Sequence, residues 1–304
     1  VGQLVHLLGV MNELRIDTDL NRCEMVKLML VLAPLCPELL DALCESGTPI
    51  IVYHITVRYT KPYMAFNRSA MPAFFRLIGL CCEHSAEFLE TWMAHCNSVW
   101  GIEQFSLSSN RYGEVAEVAN AMMVVCLQNG SPAVVAVFRR KILEAIIKHI
   151  HSCPEGCIPA LGKLLDPPAA EDISSLAPST ILSELVSVVA APLDGGVPQA
   201  QLDLRRSTVV VLHRIVVEGT RLVVLKEIQQ GLRMSKQRTG MVKQLFLMLS
   251  QGPAPPRARR QCVELVTHLV RADKACSVAG VGECVAAYEG CVLRPLEEVR
   301  VAWA

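Results

Sequence analysis

A helical hydrophobic period recurs along this chain and constrains its fold more than any other feature. Val242, Leu245, Phe246 and Leu249 follow the spacing i, i+3, i+4, i+7, and Cys262, Leu265, Val266 and Leu269 repeat it. Val115, Val118, Ala119, Met122 and Cys126 form a third stripe, and Phe138, Ile142, Ala145, Ile146 and His149 a fourth. Beside the fourth, Arg140, Glu144 and Lys148 make an i, i+4 charge ladder on the opposite side of the same segment. Such spacing gathers apolar side chains on one face of a helix, and that face must be buried against another element. Hydrophobic residues make up 52% of the chain but aromatics only 5%. That mixture suits helix-on-helix packing better than a β-sandwich.

Punctuation fits the same reading. Ser131-Pro132 has the form of an N-cap followed by a proline at the first helical position, where a missing N–H is harmless. Thr48-Pro49 and Cys36-Pro37-Glu38 are similar, while Gly47 and Asn129-Gly130 close helices. These signals predict helices over 3–14, 19–33, 37–46, 69–83, 86–99, 113–128, 132–151, 157–165, 179–191, 199–218, 221–233, 239–250 and 257–272, with more helix towards 304. Residues 50–59 carry strand-favouring Ile, Val, Tyr and Thr, yet are read as helix because no second convincing strand exists to pair with them.

The predicted fold class is all-α: an armadillo/HEAT-like α-solenoid of about a dozen helices. A compact helical domain is the alternative architecture. Tetratricopeptide and ankyrin signatures are absent from the sequence. Connections are short except at 166–178 (DPPAAEDISSLAP), 192–198 (PLDGGVP) and 252–256 (GPAPP). The first is the best boundary, giving a helical repeat region over 1–165, a linker over 166–178, and a second helical repeat region over 179–304.

The longest purely apolar runs, such as 28–33 and 122–127, fall far short of the roughly 18–20 residues that span a bilayer. No membrane partner is expected. The chain opens on Val without a signal-peptide pattern and reads as an excerpt of a longer one. Thirteen cysteines, an odd number, lie along apolar helical faces; Cys23, Cys81, Cys126 and Cys262 all sit among Leu, Met and Val. Free cysteine packs as a small hydrophobe, so free thiols and a cytoplasmic or nuclear setting are expected.

Candidate chemistry is sparse. His149-x-His151-x-Cys153-x3-Cys157 has donors that suit zinc. Against that, His149 continues an apolar stripe, Pro154-Glu155-Gly156 is an ordinary turn between helices, and no second paired motif follows. Cys82-Glu83-His84 and His95-Cys96 bring thiol and imidazole together in sequence without a nucleophile elbow or a glycine-rich oxyanion loop. No phosphate-binding loop, dinucleotide fingerprint, HExxH or EF-hand pattern occurs. No catalytic residue, metal or cofactor is assigned. Tyr59, Tyr63 and Phe66 cluster around Lys61 and Arg68, where they serve better as wedges between helices than as base-stacking platforms.

Charge offers the sharpest asymmetry. Lys+Arg and Asp+Glu balance at 29 each, yet residues 205–260 hold twelve Lys/Arg against two acids, a local net charge of +10. Arg205, Arg206, Arg214, Lys236, Arg238, Lys243, Arg257, Arg259 and Arg260 are the candidate basic ridge. Its expected partner is an acidic protein or the acidic remainder of the same chain. Nucleic acid is the weaker alternative, since it would need these side chains to form one continuous face.

Two stretches, NRCEMVKLMLVLAPLCPELLDAL over 21–43 and RYTKPYMAFNRSAMPAFFRLIGLCCEHSAEFLETWMAHC over 58–96, resemble the long helical, non-catalytic regions of the very large ubiquitin-specific proteases. The resemblance covers about a third of the chain. That family's cysteine box has Gly-Asn-Thr-Cys followed by an aromatic, and its histidine box has His-Tyr after Gly. Here no Cys precedes Tyr, Phe or Trp, and no His precedes Tyr. The resemblance therefore implies a scaffold flanking a deubiquitinase catalytic domain, with the thiol chemistry elsewhere in the parent chain and ubiquitin-pathway proteins as partners.

Overall fold

A computed structural model describes residues 19–59, 65–107, 113–176, 180–191, 199–221 and 260–265, together with Gln3, His6 and Leu245. Among the described residues every regular element is helical and none is a strand. The chain divides into two compact units, Val1–Leu164 and Leu165–Ala304. The expected helices over 221–233 and 239–250, and nearly all of 3–14, lie outside the described residues.

The first unit contains α1 (Asp19–Leu32), α2 (Pro37–Ser46), α3 (Thr48–Tyr59), α4 (Ala65–His84), α5 (Ala86–Ala94), α6 (Cys96–Ile102), α7 (Gly113–Asn129), α8 (Pro132–His149) and α9 (Pro154–Leu164). A 3-10 turn (Ala33–Leu35) extends α1, and a π-helical turn (Glu103–Leu107) follows α6. Residues 50–59 fall within α3, in agreement with the helical reading. Gly47 ends α2 at φ 62°, ψ 9°, the left-handed conformation that glycine reaches without a Cβ penalty. Ser85 starts α5 by accepting the Phe88 N–H on its hydroxyl at 3.2 Å.

Helix α4 is the hub. It packs on α1, α2, α3, α5 and α7, most extensively on α7. Its inward face is Met71, Phe74, Phe75, Ile78, Cys81 and Cys82, all buried. Contacts also step by three helices: α1 to α4 to α7, α3 to α6, and α5 to α8. The stripe predicted on α8 is buried at Phe138, Ile142, Ala145 and Ile146, and that on α7 at Val115, Ala119, Met122 and Cys126.

Three elements differ from expectation. The helix predicted over 86–99 is two helices, because His95 is extended at φ −66°, ψ 136°. The Ser98 hydroxyl donates to the His95 carbonyl at 2.8 Å, satisfying an acceptor that the break exposes. Residues 103–107 form a π turn where no element was expected. Close approach fixes it: a Cβ on Gly156 of α9 would stand 2.0 Å from the Ser106 carbonyl oxygen.

Third, the linker expected over 166–178 contains a helix, α10 (Ala170–Leu176), with Asp172, Ile173 and Leu176 buried. Its proline-rich start concealed one apolar turn. The second unit continues with α11 (Ile181–Ala190) and α12 (Gln199–Arg221). Helix α12 packs on both α10 and α11. No single described helix is long and apolar enough to cross a membrane.

Candidate functional site

The basic segment is where sequence places function, and α12 carries its first three candidates. The buried face of α12 is Arg205, Thr208, Val209, Leu212, Ile215 and Val216, a helical i, i+3, i+4, i+7 pattern. Arg205 thus occupies a core position. It is only 3% exposed, and its Nη2 donates to the carbonyl oxygen of Ala191, just past the end of α11. A helix C-terminus presents unpaired carbonyls and a partial negative charge, so a guanidinium there is held by both hydrogen bonding and the helix dipole. Burial lowers the Arg205 pKa, yet arginine's intrinsic basicity keeps it charged. Arg205 is therefore not part of a solvent-facing ridge; this corrects the sequence reading. The signal was present in the apolar stripe itself, because one turn back from Val209 is Arg205.

The other described arginines also have partners within the same unit. Arg206 is exposed and lies 3.2 Å from Asp203. Arg214 pairs with Asp166 at 3.1 Å and reaches the Leu165 carbonyl at 3.4 Å. Arg260 donates through Nε to Glu264 at 2.8 Å, and the other oxygen of Glu264 meets His213 Nε2 at 2.5 Å. Glu264 is held below the usual carboxylate range by the hydrogen bonds from Arg260 and His213. Lys236, Arg238, Lys243, Arg257 and Arg259 lie outside the described residues.

The imidazole and thiol motifs are dispersed. His149 Nε2 meets Glu103 Oε1 at 2.7 Å, and Lys148 Nζ meets the same oxygen at 2.6 Å. Lys148 thus leaves the expected ladder on α8 to bind the π turn, while Arg140 stays 4.0 Å from Glu144. Burial works to raise the Glu103 pKa, but the hydrogen bonds from Lys148 and His149 outweigh it and hold the carboxyl below its ordinary value. Of the other residues in the expected zinc pattern, His151 is exposed, whereas Cys153 and Cys157 are buried and Cys157 Sγ donates to the Leu107 carbonyl at 3.4 Å. No group of three or more potential metal ligands converges among the described residues.

His95 is drawn into an aromatic cluster: its ring stacks on Trp92 at 6.5 Å and meets His54 edge-on at 5.1 Å. Desolvation, with the neighbouring His54, lowers its pKa. Tyr53 lies 5.0 Å from Trp92 and 5.8 Å from Phe75. The side chains of Tyr59, Tyr63 and Phe66 lie outside the described residues.

Sequence adjacency missed one pairing. His84 turns away from its neighbour Cys82 and bonds Asp41 of α2, Nε2 to Oδ1 at 2.7 Å. Asp41 sits one turn before Cys44 on α2, and Cys44 Sγ donates to the Cys81 carbonyl at 3.7 Å. A Cys, a His and an Asp therefore share one neighbourhood at the α2–α4 contact.

No family model matches the chain. At the level of individual proteins it is distantly similar to a ubiquitin-specific protease. The similarity is to ubiquitin carboxyl-terminal hydrolase 34 of Homo sapiens, at 25% identity over 125 residues. The corresponding protein of Mus musculus matches at 25% over the same length. The alignments cover 39% of this chain but only 4% and 3% of those two proteins.

Proposed function

We propose that this chain is a non-catalytic protein–protein interaction scaffold, equivalent to a helical region outside the catalytic domain of a large ubiquitin-specific protease. The observation that carries this reading is the 125-residue similarity to a ubiquitin carboxyl-terminal hydrolase. The chain meanwhile lacks both the cysteine-box and histidine-box patterns. The three-helix stepping from α1 to α4 to α7 supports an armadillo-like stacking of the first unit, since three-helix repeats bring each helix onto its counterpart in the next repeat. Stacked helices offer an extended surface for protein partners in the cytoplasm or nucleus, with ubiquitin-pathway proteins the expected class. The thiol chemistry of deubiquitination then belongs to another part of the parent chain.

The docking surface on this reading uses Lys236, Arg238, Lys243, Arg257 and Arg259, which continue the basic segment beyond Arg214. Arg205 and Arg214 are excluded because they hold helix ends and connections. The test is to reverse those five to Glu and to measure melting temperature and capture of ubiquitin-pathway proteins at two salt concentrations. A docking ridge predicts unchanged melting with capture lost and salt-sensitive. Lower melting with undiminished capture by the folded fraction would assign those residues to the fold instead.

A further inference from the structure

The thiols at the α2–α4 contact are unequal, and that inequality suggests a chemistry independent of the scaffold reading. Cys44 is half-buried on α2, whereas Cys81 on α4 is fully buried. Cys44 Sγ donates to the Cys81 carbonyl at 3.7 Å, which sets the Cys44 thiol against Cys81. That carbonyl already accepts the Ser85 N–H at 2.9 Å, so its position is fixed by the end of α4. The His84–Asp41 pair completes the neighbourhood at 2.7 Å. A second thiol pair, Cys82 with Cys126, lies deeper, with both residues buried.

We propose that Cys44 and Cys81 form a peroxide-sensitive dithiol, in which Cys44 is oxidised first and Cys81 resolves it into a disulfide joining α2 to α4. The Cys44 thiolate attacks one oxygen of hydrogen peroxide; the O–O bond breaks, leaving Cys44 sulfenic acid and hydroxide, which takes up the proton that the Cys44 thiol released on ionising and becomes water. The Cys81 sulfur then attacks the Cys44 sulfur; the S–S bond forms, the S–O bond breaks, and hydroxide leaves with the Cys81 proton as a second water. One peroxide is reduced while two thiols lose two electrons.

The roles follow from the environment. The hydrogen bond from Cys81 favours the Cys44 thiolate, and the nearby His84 adds to it. Burial and the carboxylates of Asp41 and Glu45 oppose, but the net shift is downward. His84 is itself raised, chiefly by its hydrogen bond to Asp41, which favours the imidazolium. Cys81 moves strongly the other way, through its interaction with Cys44 and through burial, so it is the weaker acid of the two. Cys82 is also raised and has no exposed partner, which makes the deeper pair an internal control.

The test uses the whole chain, pre-reduced and kept folded. It is exposed to limiting hydrogen peroxide, then alkylated, digested and analysed by mass spectrometry, with dimedone added to trap sulfenic acid. The expected result is a Cys44–Cys81 linked peptide, with Cys44 oxidised about tenfold faster than Cys36, the other partly exposed thiol among the described residues. Cys81→Ser should abolish the link and leave a dimedone adduct on Cys44. Cys44→Ser should leave Cys81 reduced. Absence of the linked peptide in the unsubstituted chain, or oxidation of Cys36 as fast as Cys44, would overturn the proposal.

Discussion

The two longest described helices, α4 with 20 residues and α12 with 23, solve burial differently. The inner face of α4 is apolar throughout, from Met71 to Cys82, and its Phe75 packs on Tyr53, which in turn meets Trp92 edge-on. The inner face of α12 begins with a cation, Arg205, held by a carbonyl at the end of α11, and then turns apolar from Val209 to Val216. The contrast shows that positive charge in composition is not positive surface. A guanidinium can occupy a core position where a neighbouring helix end supplies the acceptor.

The comparison can be broken most decisively in the apolar region. Phe75→Ala should destabilise by about 3–5 kcal/mol, since it opens a cavity beside Tyr53 and under Gly101, whose missing Cβ leaves room for both rings. Thermal or denaturant unfolding of the variant measures this directly. In the second unit Arg205→Ala should destabilise by about 2–3 kcal/mol, because it removes the charged donor to the Ala191 carbonyl and the packed stem. Arg205→Met, which restores the stem, should recover part of the loss. If Arg205→Ala melts like the unsubstituted protein, the contrast between the helices fails.

A smaller effect sharpens the picture at the π turn. Glu103 has a folded-state pKa below the ordinary carboxylate value, so its contribution is present above the unfolded pKa of about 4.3 and is lost as pH falls through the lower folded value. Stability should therefore fall over that acid window, and Glu103→Gln should remove this component of the fall. Melting curves between pH 6 and the acid limit, for both proteins, are the check. The smallest effect belongs to Arg206→Glu. Arg206 pairs with the exposed Asp203 one turn away, and the change should stay within about 0.5 kcal/mol.

Sequence reading succeeded where period and capping agreed. Gly47, Ser131-Pro132 and the stripes on α7 and α8 marked helices whose apolar faces are the ones buried. It failed where a helix end takes a partner from far along the chain. Nothing local to Glu103 announces that Lys148 and His149 will close on it, and nothing near Cys82-Glu83-His84 points to Asp41. Arg205 was different: its core position was visible in the period, but charge was given priority over spacing. The break at His95 was hidden because the apolar pattern runs through it, and only the hydroxyl of Ser98 explains where the chain turns.

On the function proposed above, this chain supports protein association and leaves ubiquitin cleavage to another part of the parent chain. A ubiquitin derivative carrying a thiol-reactive electrophile at its C-terminus tests it directly, using the reduced, folded chain alongside the same chain unfolded. The proposed scaffold role predicts no covalent adduct on any of the thirteen cysteines of the folded chain, Cys44 included. A stoichiometric adduct on a single cysteine, formed only by the folded chain, would contradict it.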